Sequence, residues 1–197
     1  MRNVLFSGFF AIFALIEQGC GATTGSLARR VDGDVNATAA TLVEFRQRVE
    51  RYMDLREDVV DEVGEAAVTS DPAVIWAREQ ALAARIRARR ANAKHGDIFT
   101  PETRTLFRRL LRPELKGEQG QDIRAKLQDD APAPGAVPLE VNAKYPAGEP
   151  YPTTPAVVLA VLPTLPTGLQ YRIIGKDLIL LDQPADVILD YVRNVVP

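Results

Sequence analysis

Apolar residues recur every three or four positions at Leu42, Phe45, Val49, Tyr52, Leu55, Val59 and Val63. That period places one apolar stripe along a helix from about Ala37 to Val63, with Asn36 or Thr38 as its cap and Gly64 near its end. "TSDPAVIW" starts a second helix, with Ser70 or Asp71 as N-cap and Pro72 in the first helical position. This helix carries Ile75, Leu82 and Ile86 and stops near Gly96. "GDIFTPET" starts a third at Thr100 and Pro101, with Leu106, Phe107, Leu110 and Leu111 as its apolar face and Pro113 ending or kinking it. A weaker helical stretch, "GQDIRAKLQDD", covers 120–130. Short connections make neighbouring helices antiparallel, so 37–130 reads as a small antiparallel helical bundle.

The pattern changes at residue 131. Nine of the fourteen prolines fall between 131 and 168, which excludes regular structure over most of that stretch and makes it an extended connector. Within it, Thr154-Pro155 restarts a short helix, 155–162, whose "AVVLAVL" run is too apolar for a free linker, so the segment is expected to wrap the domain. The tail, "LQYRIIGKDLILLDQPADVILDYV", then alternates as strands. Gln170–Ile174 and Asp177–Leu181 flank a Gly175-Lys176 turn, and Asp182–Ala185 turns the chain into a third strand at Asp186–Val192. A three-stranded meander with one covered face needs a partner for that face, either the bundle or the short helix. The fold class is α+β: a helical bundle (37–130), a Pro-rich wrapping segment (131–168) and a C-terminal β-meander (169–197) packed on the bundle.

That tail resembles the C-terminal hairpin module of small periplasmic bacterial proteins of nickel and cobalt homeostasis. In that module an aromatic-Arg strand, a Gly turn and an aliphatic strand ending in Asp recur, as in "YRIIGKDLILLD" here. Together with "TSDP", "GDIFTP" and "LPTLPTGLQYRI", the chain resembles uncharacterised exported bacterial proteins, a resemblance that implies an address and no activity. The first resemblance implies a metal-responsive role, from which this chain departs. Its histidine is the single His95, and its cysteine is the single Cys20. Asp177, Asp182, Asp186 and Asp190 lack the spacing of a calcium loop and read as turn and strand-end residues.

The N-terminus supplies the same address from the residues themselves. Met1-Arg2 is followed by thirteen uncharged residues, Val4 to Ile16, and then by small ones, the three-part layout of a signal peptide over 1–22. As a helix those thirteen residues span only about 20 Å, short of the roughly 30 Å hydrocarbon core. Cleavage before Thr23 leaves a flexible segment, 23–36, and removes Cys20. The alternative is lipidation of Cys20 as the new N-terminus. Gly19-Cys20 suits that box and Glu17-Gln18 does not, so plain export to the periplasm or medium is preferred, with a membrane-anchored lipoprotein second. Either way there is neither a disulfide framework nor a thiol nucleophile.

Charge balances overall, with 24 basic and 26 acidic residues, but it is laid out in blocks. Asp32–Asp71 holds eleven acidic residues against four arginines, and Arg78–Lys116 eleven basic against four acidic. The structural expectation is pairing along helix seams, where each exposed pair contributes about 0.2–1 kcal/mol. The functional candidate is a surface for an anion or an acidic partner: Arg78, Arg85 and Arg89 on one helix face, and Arg104, Arg108 and Arg112 on another. Arg85, Arg89, Arg104 and Arg108 carry that candidate site, and the partner would be an acidic protein or polymer of the envelope. Nucleic acid is not expected, because aromatic residues do not interleave with the arginines.

Catalytic motifs are missing. His95 precedes Gly96 and is expected to meet the terminal carbonyls of the second helix. Ser26 and Ser70 are poor nucleophile candidates, one near the new terminus and the other a cap. Asp97 and Glu102 form the sharpest candidate carboxylate pair, and capping and first-turn charge explain them more cheaply. The sequence therefore points to an exported, non-catalytic binding or structural module without cofactor or metal. The alternatives are a carboxylate-dependent enzyme on an envelope polymer and a metal-responsive periplasmic protein.

Overall fold

The computed structural model describes residues 24–64 and 68–197, with side chains from 35 onward. The expected signal peptide and Cys20 lie outside the described residues. The chain divides into two compact units, Met1–Ala37 and Thr38–Pro197. Helix α1 (Thr24–Val63) runs through both and begins upstream of the expected start at Ala37. "SLARR" holds good helix formers, and neither Asn36 nor Thr38 interrupts the helix. In the second unit follow α2 (Pro72–Arg89), α3 (Pro101–Glu114), α4 (Gly117–Asp129), α5 (Ala156–Val161) and strands β1 (Leu169–Ile174), β2 (Asp177–Asp182) and β3 (Val187–Val192). The class is α+β.

Local chemistry accounts for the helix ends. Asp71 caps α2 by accepting the Ala73 N–H at 2.9 Å, and Thr100 caps α3 by accepting the Thr103 N–H at 3.2 Å. Each satisfies a donor that the first turn leaves orphaned. The α1 stripe buries Phe45, Val49, Tyr52 and Val59, with Leu42, Leu55 and Val63 packed at the margin. Helix α2 ends earlier than expected, at Arg89, and residues 90–99 form turns. Its first half also departs from expectation: Ile75 is 53% exposed and burial begins only at Leu82.

The sheet is an antiparallel meander in the order β1-β2-β3. Gly175, at φ +59°, occupies the left-handed region that its tight turn requires. Both faces are buried, where one covered face was expected. Tyr171, Ile173, Leu178, Leu180, Val187 and Leu189 join the helical core. Ile179, Leu181, Ile188 and Tyr191 form a second core with Val137 and Tyr145 from the Pro-rich segment. That segment also covers the sheet edges. Main-chain bonds from Asn142 N to Ile188 O, Ile188 N to Ala143 O and Tyr145 N to Asp186 O line the β3 edge. On the β1 side, the Thr154 hydroxyl donates to the Tyr171 carbonyl.

The pairing of β2 with β3 slips at one point. Leu180 pairs with Asp190 but Leu181 pairs with Ile188, so Leu189 is an extra residue, a β-bulge. Strict alternation would put Leu189 and Asp190 on opposite faces. The bulge lets both reach the helical side.

An aromatic cluster ties the layers together. Phe45 stacks on Phe99 at 5.7 Å, and Phe107 meets both edge-on, at 5.1 and 5.4 Å, and Tyr171 at 6.1 Å. Phe107 thus joins α1, the 98–99 turn, α3 and β1. Phe107→Ala is expected to destabilise the protein by about 3–5 kcal/mol in urea unfolding, because no neighbour is free to fill the space.

Candidate functional site

Two carboxylates lie fully buried between sheet and helices. Asp190 accepts N–H groups from Gly96, Ile98, Phe99 and Tyr191 at 2.8–3.2 Å, and its Oδ1 lies 3.0 Å from His95 Nδ1. The His95 ring stacks on Tyr191 at 4.1 Å. His95 therefore belongs to this cradle and not to the end of α2, which finishes before it. Asp182 accepts the Tyr52 hydroxyl at 2.5 Å and Arg56 Nε at 2.7 Å. Burial first, and Asp182 second, push the Tyr52 phenol far above its ordinary range, so it remains a donor. Arg90 lies 5.3 Å above the Tyr52 ring and donates to the Leu189 carbonyl at 3.0 Å. Sealed from solvent, these carboxylates hold the fold and reach no substrate.

Several arginines of the basic block donate to main-chain carbonyls: Arg78 to Gly64 O at 2.9 Å, Arg90 to Leu189 O at 3.0 Å and Arg104 to Phe99 O at 2.9 Å. Arg48, from the acidic block, does the same to Asp97 O at 2.6 Å. The expected charge seam between α1 and α2 reduces, among the described residues, to the single ion pair Glu62–Arg89. A planar guanidinium with five donors suits helix-end and turn carbonyls, and this competes with side-chain pairing.

The four arginines picked from the sequence therefore part company. Arg85 is exposed on α2. Arg89 pairs with Glu62 and borders a shallow depression between α1 and α2, beside Arg48 and Arg51. Arg104 is held over Gly96, where a Cβ would fall 2.9 Å from its Nη1. Arg108 lines a groove, a space of about 500 Å3 between α3 and the C-terminal residues Asn194, Val195 and Pro197. There it is joined by Arg109, Arg112 and Lys116, which the spacing argument had not gathered with it except for Arg112. Arg108 is braced by its Nε bond to Arg193 O at 2.9 Å, and Arg109 by its bond to Thr38 Oγ1 at 2.7 Å. Arg112 and Lys116 are exposed and make no ion pair among the described residues. Among the described residues no acidic side chain lines the groove.

A second cleft, of about 450 Å3, lies between the first half of α2 and the β2–β3 turn, lined by Ile75, Arg78, Glu79, Tyr151, Pro184 and Asp186 among others. Lys144 Nζ is 3.0 Å from Glu79 Oε1, and the Tyr151 hydroxyl donates to Asp186 Oδ1. Burial, then the hydrogen bond and charge of Glu79, raise the Asp186 carboxyl to about 7, against the opposing pull of Lys144.

The remaining sequence candidates fall elsewhere. Asp97 accepts the Lys94 N–H at 2.7 Å, and Glu102 is an exposed first-turn residue of α3, so the two assemble no site. Asp177 accepts the Asn194 N–H at 2.7 Å, and the four tail aspartates each have separate partners. Among the described residues no group of three His, Cys, Asp or Glu side chains converges as a metal site, and no helix is long and apolar enough to cross a membrane. No protein family, curated protein or solved structure matches this chain.

Asp190→Ala would strand buried N–H groups of Ile98, Phe99 and Tyr191. Each such orphan costs about 1–3 kcal/mol, so a loss of at least ~3 kcal/mol is expected in urea unfolding. Asp190→Asn keeps an acceptor and is expected to lose less. Equal losses for the two would count against the cradle.

Proposed function

We propose that this protein is an exported bacterial envelope protein that works as a non-catalytic binding module, holding an anionic polymer along the α3 groove. The signal-like N-terminus supports the address. The observation that carries the binding reading is a groove lined by Arg108, Arg109, Arg112 and Lys116, with no acidic side chain among the described residues that line it. Arg108 and Arg112 stand one helical turn apart, about 6 Å at 1.5 Å rise per residue, and Lys116 continues the row just past the helix end. A row of that pitch favours a chain of regularly spaced anions over a single one. The bracing of Arg108 and Arg109 lowers the side-chain entropy lost on binding.

The enzyme alternative lacks comparable support. Glu79 and Asp186 line one cleft, but Glu79 is paired with Lys144 and Asp186 accepts the Tyr151 hydroxyl, so neither carboxylate stands free for the paired roles that glycoside hydrolysis uses. The metal alternative finds no converging donor set among the described residues.

Titration of the protein with inorganic polyphosphate tests the reading. Affinity is expected to fall steeply as salt rises, since exposed charges are screened beyond about 10 Å at 0.1 M. The double substitution Arg108→Glu, Arg112→Glu is expected to weaken binding at least ~10-fold through charge reversal. Arg85→Glu, on α2, is expected to leave it unchanged. Equal loss from Arg85→Glu would move the site to α2, and no salt-dependent binding would remove the reading.

A further inference from the structure

The cleft between the first half of α2 and the β2–β3 turn differs in chemistry from the α3 groove. Val74 and Ile75 of α2, Tyr151 of the wrapping segment and Pro184 of the 3-10 turn Gln183–Ala185 give it apolar walls. Val74, Ile75 and Tyr151 are 44%, 53% and 39% exposed, and α2 buries no side chain before Leu82. Tyr151 is nevertheless held in place. Its ring stacks on the buried Tyr145 at 4.6 Å, Arg172 lies 5.9 Å from its centroid, and its hydroxyl donates to Asp186 Oδ1. At about 450 Å3 the cleft falls within the roughly 300–1,000 Å3 of small-molecule sites.

Polar groups of both signs line the same space. Glu79 pairs through Oε1 with Lys144 at 3.0 Å, and Asp186 accepts the Tyr151 hydroxyl through Oδ1. With both carboxylates ionised, Glu79 Oε2 and Asp186 Oδ2 have no hydrogen-bond donor among the described residues, and neither is sealed from solvent. Arg78 donates through Nη2 to the Gly64 carbonyl at 2.9 Å, its Nε is buried without a partner, and its Nη1 is open. Arg78 and Glu79 are consecutive and both line the cleft, so a cation and an anion stand close together there. A ligand of a single sign would meet one of these groups as a like charge. A ligand that carries both signs on neighbouring atoms, next to an apolar body, matches the acceptors, the donor and the walls at once.

We infer that this cleft binds a free α-amino acid with an apolar side chain: Asp186 and Glu79 hold its ammonium, Arg78 holds its carboxylate, and Ile75, Tyr151 and Pro184 cover its side chain. An ammonium with three donors suits two carboxylate oxygens that lack one. The site is separate from the α3 groove and does not depend on what that groove holds.

Ionisation of Asp186 is linked to this binding. Burial first, and then Glu79, raise its carboxyl to about 7, against the pull of Lys144. The groups facing it are Glu79 and Arg78 from α2, Lys144, Tyr145 and Tyr151 from the wrapping segment, and Arg172 of β1 beyond Tyr151. Glu149 adds a further negative charge near Tyr145. The ligand's ammonium favours the ionised form, so binding is strongest above about pH 7 and weakens as pH falls through that value.

NMR titration of the full chain with L-leucine and L-phenylalanine at about pH 8 tests the site. Saturable shifts are expected in the amides of 74–79 and 183–186. Isopentylamine, which lacks the carboxylate, and N-acetyl-L-leucine, which lacks the ammonium, are each expected to bind at least ~10-fold more weakly than leucine. Lowering the pH to about 5.5 is expected to weaken leucine binding at least ~10-fold. Asp186→Asn, which tolerates the left-handed backbone at φ +52°, and Arg78→Gln are each expected to weaken it by a similar factor. No saturable shift with either amino acid, shifts that centre on the α3 groove instead, or either analogue matching leucine overturns the proposal. Should Asp186→Asn fail to fold, Arg78→Gln decides, and an unchanged leucine affinity there overturns the site.

Discussion

The buried carboxylate of Asp190 is the interaction on which the rest of the structure leans. A bare charge in the interior costs several kcal/mol unless its lone pairs are filled, and here backbone N–H groups from the 96–99 turn fill them. Binding that turn fixes Phe99, which completes the aromatic cluster with Phe45 and Phe107. It also sets Thr100 where it caps α3. The direction of α3 follows, and with it the placement of Arg108 and Arg112 at the groove. The β-bulge at Leu189 is the backbone device behind this, because without it the Asp190 side chain would face the Pro-rich layer.

Arginine serves two purposes in this chain. Where a turn or helix end leaves a carbonyl uncovered, a guanidinium reaches over and donates to it, as at Asp97, Gly64, Leu189 and Phe99. Such arginines carry charge without presenting it. At the end of α3 Arg108 also donates to a carbonyl, that of Arg193, yet it lines the groove beside Arg112 and Lys116, which are exposed and have no acidic side chain next to them among the described residues lining it. A positive cluster near a helix C-terminus is also compatible with the helix dipole.

Much of the architecture was legible in order along the chain. The 3.6-residue stripe of α1, the Asp71-Pro72 and Thr100-Pro101 starts and the Gly175 hairpin rest on interactions within a few residues, so a local pattern reports them. The candidate site was legible only in part. Arg108 and Arg112 were visible as one helix face, but Arg109 and Lys116 joined them through the C-terminal residues packed alongside. Arg89 and Arg104 looked equivalent to Arg108 in sequence and were removed by Glu62 and the Phe99 carbonyl. Asp182, Asp186 and Asp190 read as turn and strand-end residues. Asp182 does end β2 and Asp186 does close the turn, but burial and distant partners gave them further roles, and Asp190 lies within β3.

What the sequence determined by itself was therefore the set of elements and their ends, together with the α+β class, because periodicity and capping are short-range. The tertiary structure alone decided the second covered face of the sheet, the turn of Asp190 toward the helices and the placing of Glu79 and Asp186 in one cleft. Each of these depends on which distant groups share a buried volume, and a polar side chain's role changes with its partners and with its exclusion from water. No local pattern encodes that.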